Sequence, residues 1–345
     1  MRGFTSNAAR VALIGAMTAG LFGIWLAAGR NTAAGIGFFY AVPVGLATWW
    51  WGRRAGAAVV LLSFGFFFLG TAVEPIAHFP TAFATRAVAL IAVLALVAIA
   101  RERLRVLEHD AEELEAIRAA LTPASLPDLR GVDAAAAFVP SELGVSGDFY
   151  LLTNGPDGST VAIVGDVTGH GPEAARLATF IRARFAAFAA NTADPAELLM
   201  LANGALAERP GPPGELVSAA CLRFPPDEPR VTWALAGHPP PLHLPGLAEL
   251  PVNGETLLLG AVPDLVVANG DTTLAAEEGV LIYTDGATDV RRGRERLGLG
   301  GLSRLLAPLA KLPAADLASR GERAIIEWAE GPIRDDLCLL VLKPE

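Results

Sequence analysis

Long segments without charged side chains dominate the first hundred residues of this 345-residue chain. No Asp, Glu, Lys or Arg occurs in residues 11–29, 31–52, 55–73 and 87–100. The last of these runs extends back through uncharged residues to Arg86. A helix of about 20 apolar residues crosses the hydrocarbon core of a bilayer with its backbone hydrogen bonds satisfied internally. We therefore expect an all-α membrane domain of four transmembrane helices over residues 1–100.

The first apolar run also has features of a secretory signal peptide. Arg2 and Arg10 precede the run, and it ends in the small residues Ala27, Ala28 and Gly29. A signal peptide has a shorter apolar core, however, and here three further runs follow directly. We favour a membrane-spanning first helix, with a cleavable signal peptide as the alternative.

The arginines beside the apolar runs predict the orientation of the membrane domain. Five of them follow the second and fourth runs: Arg53, Arg54, Arg101, Arg103 and Arg105. The segment 74–85 between the third and fourth runs has no Lys or Arg. Because positively charged residues favour the cytoplasmic side of a membrane, both termini are expected in the cytoplasm.

Residues 101–121 predict a helical linker after the membrane domain. They are rich in helix-forming residues, and apolar residues recur at intervals of three and four: Leu104, Leu107, Ala111 and Leu114. This is the spacing of a coiled-coil seam, although it lasts only just over two heptads. The linker is therefore either a solvated helix or the stalk of a homodimer. A soluble domain follows over residues 122–345.

Short strand-like segments and helical segments alternate in the soluble domain. The strand-like segments are 149–152, 160–164, 216–224, 230–236, 280–283 and 337–342, and the helical segments are 172–190, 195–208, 302–310 and 314–330. Because the strands come in adjacent groups with helices between the groups, the pattern predicts an α+β fold and not a repeated βα crossover.

Charge and cysteine content exclude several classes of protein. The net charge is −9 and the sequence has no basic stripe, which argues against a nucleic-acid-binding surface. The apolar runs contain no paired charges, which argues against a transporter. Cys221 and Cys338 lie in apolar strand-like segments and are expected to be core residues in a reducing compartment.

Four aspartates stand at the ends of strand-like segments. Asp166 and Asp285 follow apolar runs and have a glycine close behind, whereas Asp148 and Asp335 precede apolar runs. Antiparallel strands bring starts and ends to one edge of a sheet, so these carboxylates could meet. Crowded carboxylates repel one another unless a cation lies between them, and all-oxygen ligation favours Mg²⁺ or Mn²⁺. Taken singly, such an aspartate is more often a turn or capping residue.

Five short motifs occur in order in the soluble domain: Val145-Ser-Gly-Asp-Phe-Tyr150, Val164-Gly-Asp-Val-Thr-Gly-His-Gly171, Ala236-Gly-His-Pro-Pro-Pro241, Tyr283-Thr-Asp-Gly286 and Asp335-Asp336. In order and approximate spacing they resemble the SpoIIE/RsbU-type branch of the PPM (protein phosphatase 2C-like) serine/threonine phosphatases. The resemblance runs from Leu121 to the C terminus. It implies an αββα sandwich with a two-metal site at one edge of the central sheets.

The resemblance also implies roles for particular residues. Asp166 would bridge two Mg²⁺ or Mn²⁺ ions with the Val167 carbonyl beside it, Asp148 would face one ion, and Asp285 and Asp335 would hold the other. The ions would activate water for attack on phosphoserine or phosphothreonine of a regulatory protein, commonly a small anti-sigma-factor antagonist. Asp166 and Asp285 are thus the candidate catalytic residues.

Further polar residues lie within or near these motifs. His170 is a candidate general acid, but its spacing from Asp166 differs from that of the histidine in eukaryotic members and favours a turn-stabilising role. His238 is expected to support the site structurally, and Ser218 or Thr288 could help to shape it.

The sequence departs from the family pattern at Leu151, Asp289 and Cys338, where the family often has Asp, Glu and Thr. These departures remove no proposed ligand, but they affect the hydrogen bonds that orient ligands. A membrane-tethered pseudophosphatase, which would bind a phosphoprotein without hydrolysing it, is therefore the alternative.

Residues 41–56 are similar in composition to segments of the membrane modules of bacterial sensor proteins. This likeness predicts an input domain for a sensor phosphatase in the bacterial inner membrane, with the phosphatase domain in the cytoplasm.

Overall fold

A computed structural model describes most of the chain: residues 7–27, 39–73, 79–121, 127, 129, 131–141, 147–169, 171–209, 214–254 and 256–344. The chain divides into two compact units, Met1–Glu112 and Glu113–Glu345. Each unit has its own apolar core.

Four helices begin in the first unit: α1 (Asn7–Ala27), α2 (Ala41–Trp51), α3 (Arg53–Val73) and α4 (Phe79–Leu121). They share one apolar cluster, to which they contribute Ile14, Val44, Val60 and Leu90. Their outward side chains are also largely apolar, and Leu61 is 72% exposed. Helices that are apolar on all sides require apolar surroundings, as a membrane span does.

Two helical segments are long and apolar enough to cross a membrane, judged by length and composition over the described residues: Asn7–Ile24 and Phe83–Leu107. The predicted span 31–52 lies partly outside the described residues, and its described part contains the 11-residue helix α2. Helix α3 covers the predicted span 55–73. The four-helix membrane domain therefore stays a prediction.

Arginine contacts bring several helix ends of this unit together. The Arg10 guanidinium lies 5.3 Å from the ring centroid of Trp50. Arg101 donates hydrogen bonds to the carbonyl oxygens of Thr48 at 3.1 Å and Trp50 at 3.4 Å. The start of α1, the end of α2 and residue 101 of α4 are therefore neighbours. Arg86 lies elsewhere in the unit, 4.5 Å from the ring centroid of Phe67.

Helix α4 joins the predicted fourth span and the predicted linker in one 43-residue helix. At 1.5 Å per residue it is about 65 Å long, roughly twice the thickness of a hydrocarbon core. Leu104 and Leu107 are 43% and 63% exposed, whereas Leu121 is buried in the core of the second unit. The coiled-coil pairing of the predicted seam stays a prediction.

The second unit contains twelve strands and five helices within its described residues. The strands are β1 (Val132–Val139), β2 (Phe149–Asn154), β3 (Thr160–Val167), β4 (Val217–Phe224), β5 (Arg230–Ala236), β6 (Leu242–Leu244), β7 (Ala248–Glu249), β8 (Gly270–Thr273), β9 (Gly279–Tyr283), β10 (Arg291–Arg292), β11 (Glu295–Arg296) and β12 (Leu337–Pro344). The helices are α5 (Pro172–Ala189), α6 (Pro195–Ala207), α7 (Gly286–Asp289), α8 (Gly298–Leu306) and α9 (Ala314–Trp328).

Two antiparallel five-stranded sheets form the centre of this unit. Their strand orders are β1-β12-β9-β6-β7 and β2-β3-β4-β5-β8. Side chains of both sheets meet in one apolar layer. Helices α5 and α6 cover the outer face of the β2–β5 sheet, and α8 and α9 cover that of the other sheet. The four layers are the αββα sandwich that the sequence predicts, so the predicted fold class is confirmed.

Sequence patterns misplaced or missed a few elements. The helix predicted over 302–310 is wrong in its bounds, because α8 is Gly298–Leu306. Ala307 still has helical backbone angles and donates to the Ser303 carbonyl, but Pro308 has no N–H group with which to continue the helical hydrogen bonds. The short strands β6, β7 and β8 have too few residues to show alternation.

Replacing Gly165 by Ala is expected to destabilise the second unit by about 1–3 kcal/mol, because the core there is already filled. A Cβ atom at this position would lie 2.4 Å from Phe149 Cζ and 2.8 Å from the Ser218 carbonyl oxygen. The measurement is the urea midpoint at which Cys221 and Cys338 become reactive. Both thiols are buried in this unit and are the chain's only cysteines, so the full-length protein can be used.

Gly204→Ala is the matched control. An added Cβ in helix α6 meets nothing within 4 Å, and the gain in helix propensity is expected to raise stability by about 0.5–1 kcal/mol. Equal midpoints for the two variants would contradict the close packing of β2, β3 and β4.

Candidate active site

The alternation of side chains along β2 and β3 directs two aspartates between the sheets. In β3, Val161 and Ile163 contact the helices, whereas Ala162 and Val164 contact the opposite sheet. Asp166 continues the second series, two residues further on. Asp148 immediately precedes β2, in register with Tyr150, whose side chain also lies between the sheets. Both carboxylates therefore belong to the inner layer.

The other sheet contributes polar groups to the same layer by the same rule. In β12, Cys338 and Leu340 lie between the sheets, so Asp336 continues their series. In β9, Val280 and Ile282 do so, and Thr284 follows. The Thr284 hydroxyl accepts a hydrogen bond of 3.1 Å from the Cys338 amide, which ties the end of β9 to the start of β12.

Strand register places these residues at one edge of the sandwich. Phe149 pairs with Gly165, which puts Asp148 and Asp166 at neighbouring positions of adjacent strands. Asp166 in turn pairs with Ser218 of β4.

Two glycines allow the backbone to close around this edge. A Cβ atom at Gly286 would lie 1.9 Å from the Asp336 carbonyl oxygen, and one at Gly147 would lie 2.5 Å from the Val167 carbonyl oxygen. Only glycine permits such close contacts.

The carboxylates interact with one another. The side chains of Asp148 and Asp166 are hydrogen-bonded to each other. The nearby charge of Asp336 raises the pKa of both. Asp335 acts on Asp166 and on Asp285, and Asp285 acts on Asp166. The structure therefore brings together the four aspartates that the sequence predicts, and adds Asp336.

Burial is the main cause of the altered acidity at this edge. Burial raises the pKa of the Asp148 carboxyl well above its usual range, and the neighbouring Asp166 carboxylate reinforces the effect. Burial also raises the pKa of Asp166 to about 7, against a hydrogen bond with Asp148 that acts in the opposite direction. For Asp285, burial and then the Asp335 carboxylate raise the pKa. Full ionisation of the group therefore costs free energy.

Asp335 and Asp336 have different surroundings. Asp335 is exposed, and its Oδ1 accepts a hydrogen bond of 3.0 Å from the Asp336 amide. Asp336 is 4% exposed, and its Oδ1 accepts a hydrogen bond of 2.6 Å from the Ser141 amide. The metal ligands predicted from the sequence include Asp335 but not Asp336. Every residue from Leu337 to Leu342 is apolar, so no alternation in the sequence distinguishes the two acids.

A cavity of about 250 Å³ opens beside Asp166 and Asp285. Ser218 and His238 form part of its wall. The Ser218 hydroxyl lies 2.9 Å from His238 Nδ1, and the imidazole is 5% exposed. His238 therefore contributes directly to the wall of this cavity. His170 lies outside the described residues.

The departures from the family pattern occupy different places. Leu151 lies in the core under helices α5 and α6, on the face of β2 away from the aspartates. Asp289 forms an ion pair with Arg296. Cys338 lies between the sheets beside Thr284. The Thr288 hydroxyl donates a hydrogen bond of 2.9 Å to the Asp285 carbonyl oxygen and so stabilises the turn after β9.

The donor set of this edge has the chemistry of a site for hard cations. The interacting groups are aspartate carboxylates, and backbone carbonyls lie beside them. Such oxygen donors suit Mg²⁺ or Mn²⁺. In the described part of the chain, no three acidic, histidine or cysteine side chains are already arranged to hold an ion. The ligand roles of Asp148, Asp166, Val167, Asp285 and Asp335 therefore stay predictions.

The fold is that of the PP2C-type phosphatases. The family model for Stage II sporulation protein E (SpoIIE) matches residues 156–345. The chain belongs to the SpoIIE family, and the family assignment made from its motifs is confirmed. No curated protein matches the chain by sequence.

Solved structures agree with this assignment. The SiaA-PP2C domain of Pseudomonas aeruginosa has a TM-score of 0.58 at 20% identity, covering 72% of this chain and 99% of that one. The RsbU and RsbW domains of Rv1364c from Mycobacterium tuberculosis have a TM-score of 0.55 at 26% identity, covering 64% of this chain. The match spans 62% of the length of that Mycobacterium tuberculosis chain. The PP2C phosphatase domain of Bacillus subtilis SpoIIE, with a fragment of its regulatory domain, has a TM-score of 0.53 at 18% identity, covering 63% of this chain and 64% of that one.

Acid is expected to destabilise the second unit through His238. Burial lowers the pKa of His238 from 6.5 to about 4, against a weaker opposing effect of the Tyr283 backbone. Between these two values the unfolded chain binds a proton that the folded chain does not. The contribution of His238 to the free energy of unfolding therefore falls as the pH is lowered from 6.5 towards 4, by on the order of 3 kcal/mol, while the raised pKa values of Asp148 and Asp166 act in the opposite direction.

His238→Gln is expected to remove this part of the pH dependence. The protection of the β4 and β5 amides against hydrogen exchange is measured in the wild type and in the variant. Each value is corrected for intrinsic exchange at that pH. An identical change of protection in the wild type and the variant between pH 6.5 and 4.5 would show that the imidazole is not held neutral by burial.

Proposed function

We propose that the second unit is a metal-dependent phosphatase that hydrolyses phosphoserine or phosphothreonine on a regulatory protein. The observation that carries the proposal is the convergence of Asp148, Asp166, Asp285, Asp335 and Asp336 at one edge of the sandwich. The raised pKa values of Asp148, Asp166 and Asp285 mean that the edge is better suited to bind cations than to remain fully ionised alone. Membership of the SpoIIE family supports the same reaction.

The predicted ligands of a pair of Mg²⁺ or Mn²⁺ ions are Asp148, Asp166, the Val167 carbonyl, Asp285 and Asp335. When bound, such ions activate water and draw charge from the phosphoryl oxygens, so Asp166 and Asp285 are the proposed catalytic residues. Asp336 joins this set as a positioning residue or a further ligand.

The chain's own groups orient these donors. The Ser141 amide holds the Asp336 carboxylate. The Thr288 hydroxyl holds the turn that carries Asp285, and the close approach at Gly147 places the Val167 backbone beside Asp148. The cavity beside Asp166 and Asp285 would receive the phosphoryl group.

An arginine-rich hairpin beside the acidic edge supports a negatively charged protein substrate. The hairpin comprises β10, β11 and their turn, residues 291–296, and all six residues are exposed. Arg291 and Arg334 line a cavity of about 190 Å³ together with Asp335. Arg292 stacks on Trp328 at 4.8 Å, which fixes one side of the hairpin. Complementary charge of this kind steers and selects partners.

The first unit is proposed to anchor the phosphatase in the bacterial inner membrane as a multi-pass domain. Two helices meet the length and composition of a span. Arg10 near the start of α1, Arg53 at the start of α3 and Arg101 within α4 all lie near the end of α2, which agrees with a cytoplasmic end of the bundle and with both termini in the cytoplasm. Pairing of two chains through exposed Leu104 and Leu107 is proposed as the route by which the membrane domain acts on the site.

The proposed substrate is a small anti-sigma-factor antagonist. The solved Mycobacterium tuberculosis structure that resembles this chain contains an RsbU domain together with an RsbW domain. This supports a regulatory phosphoprotein as the substrate class.

Asp148→Asn and Asp166→Asn are expected to lower phosphatase activity of the full-length chain about 100-fold or more, because each removes a charge that would hold the ions. Hydrolysis of p-nitrophenyl phosphate and of a phosphoserine peptide is measured with Mn²⁺ and with EDTA. Asp271→Asn is the matched control, because Asp271 is exposed in the edge strand β8. Activity that survives EDTA and both site substitutions would refute the metal mechanism.

Stability provides a second readout of the same variants. Without metal, Asp148→Asn is expected to unfold at higher urea than the wild type, because it removes a buried charge from a group of carboxylates. Added Mn²⁺ is expected to stabilise the wild type and not the variant, since ligand binding to the folded state shifts unfolding. Mn²⁺-dependent stabilisation without any hydrolysis would favour the pseudophosphatase.

The double variant Arg291→Ala/Arg294→Ala tests the arginine-rich hairpin. We expect its preference for a phosphopeptide with acidic flanks over one with neutral flanks, measured as a ratio of kcat/KM values, to fall about tenfold at low salt. Arg230→Ala is the control, because Arg230 begins β5 at the end of the strand away from the cavity. An unchanged ratio in the double variant would exclude the hairpin from substrate selection.

A further inference from the structure

A groove of about 680 Å³ lies in the first unit, where α2, α3 and α4 come together. Its charged lining consists of Arg53, Arg54, Arg101, Arg105 and Glu102. Four guanidinium groups and one carboxylate make the groove strongly positive, although the whole chain carries a net charge of −9. Neither the phosphatase site nor the family assignment accounts for it.

Arg101 has a structural role in this groove. Its guanidinium donates to the Thr48 and Trp50 carbonyl oxygens at the C-terminal end of α2. Gly52 makes this approach possible, because its φ is +91° and a Cβ atom there would lie 2.8 Å from Arg101 Nη1. Arg101 therefore holds the junction of α2 and α3 against α4, and the shape of the groove is built into the unit.

The other three arginines are available to a ligand. Arg53, Arg54 and Arg105 are exposed and form no ion pair with any residue that the structure describes. Arg53 and Arg54 occupy the first turn of α3, where the helix dipole adds further positive potential. An anion placed here gains charge-assisted hydrogen bonds, and a phosphate oxygen suits the planar guanidinium group.

Apolar side chains continue from the charged lining. Trp51 and Ile99 line the same groove, and Ile99 is 57% exposed. One turn earlier on α4, Leu96 is 69% exposed and belongs to the apolar exterior of the unit. A ligand with a phosphate at one end and a hydrocarbon chain at the other would satisfy both parts of this surface.

We propose that this groove binds the headgroup of an anionic phospholipid such as phosphatidylglycerol. The three exposed arginines contact its phosphate, and its acyl chain follows Ile99 and Leu96 along α4. Basic pockets between helices on the cytoplasmic side of a membrane recognise anionic lipids in this way. The inference rests on the proposed membrane anchoring of the first unit, and it places a lipid contact where α4 leaves the proposed membrane region.

The test uses the full-length chain in a neutral detergent. Phosphatidylglycerol and phosphatidylcholine are added in turn, and the fraction of protein that retains a lipid is measured by native mass spectrometry. We expect preferential retention of phosphatidylglycerol. In the triple variant Arg53→Gln/Arg54→Gln/Arg105→Gln its apparent affinity is expected to fall about tenfold or more, because each arginine near a membrane surface contributes several-fold to anionic-lipid binding.

Arg103→Gln, compared with Arg54→Gln, is the matched single-charge control. Arg103 is exposed on the same stretch of α4 but does not line the groove, so its replacement is expected to leave the preference unchanged. Equal retention of both lipids, or a preference that survives in the triple variant, would overturn the proposal. Displacement of the lipid by equimolar inorganic phosphate would also overturn it, because the groove would then be a general phosphate site.

Failure of this inference can be told apart from failure of the proposed function. A chain that stays soluble without detergent would contradict the membrane anchoring itself. A chain that needs detergent and hydrolyses p-nitrophenyl phosphate, but shows no preference between the lipids, would contradict the headgroup site alone.

Discussion

Electrostatic repulsion between partly desolvated aspartate carboxylates is the constraint on which the structure of the second unit depends. Asp148, Asp166 and Asp336 project into the layer between two sheets, where burial and mutual proximity raise the pKa values of Asp148 and Asp166. A fold gains nothing in stability from such an arrangement. Cation binding would offset the free-energy cost of bringing these carboxylates together. Stability and the proposed catalysis would then depend on the same ligand. The remainder of the sandwich then serves to hold this edge in place.

The architecture achieves this with rigid elements. The inner layer of the sandwich is apolar along most of its length, and the interacting aspartates lie at the strand ends near Asp166 and Thr284. Strand pairing sets the spacing between them, and backbone contacts at Gly147 and Gly286 leave no space for a side chain. Strand pairing fixes these positions. A small displacement of one strand would therefore change the distances between all the carboxylates of the group.

The first unit has a different kind of surface from the second. Its helices expose apolar side chains on their outer faces and collect arginines where helix ends meet, an arrangement that suits a bilayer and its charged surface. Arg101 shows how one residue can serve both purposes, since it satisfies carbonyl groups at the end of α2 and also shapes a positive groove. Helix α4 begins in this unit and includes Leu121, which is buried in the core of the other. The boundary between the two units therefore falls within the residues of α4.

Local patterns in the sequence determined the class of fold and much of the site. Apolar runs predicted α1, α3, β3 and β12, because such runs depend on residues close together in the chain. The motifs around Asp148, Asp166 and Asp285 resemble those of the PPM phosphatases, and that resemblance implied the αββα fold. Only the tertiary structure decided which acid of the Asp335-Asp336 pair is buried, that Leu151 faces away from the site, and that His238 forms part of the cavity wall. Those facts depend on which strands become neighbours and on how the two sheets face each other. Contacts such as that between Ser141 and Asp336, 195 residues apart in the chain, leave no trace in local spacing.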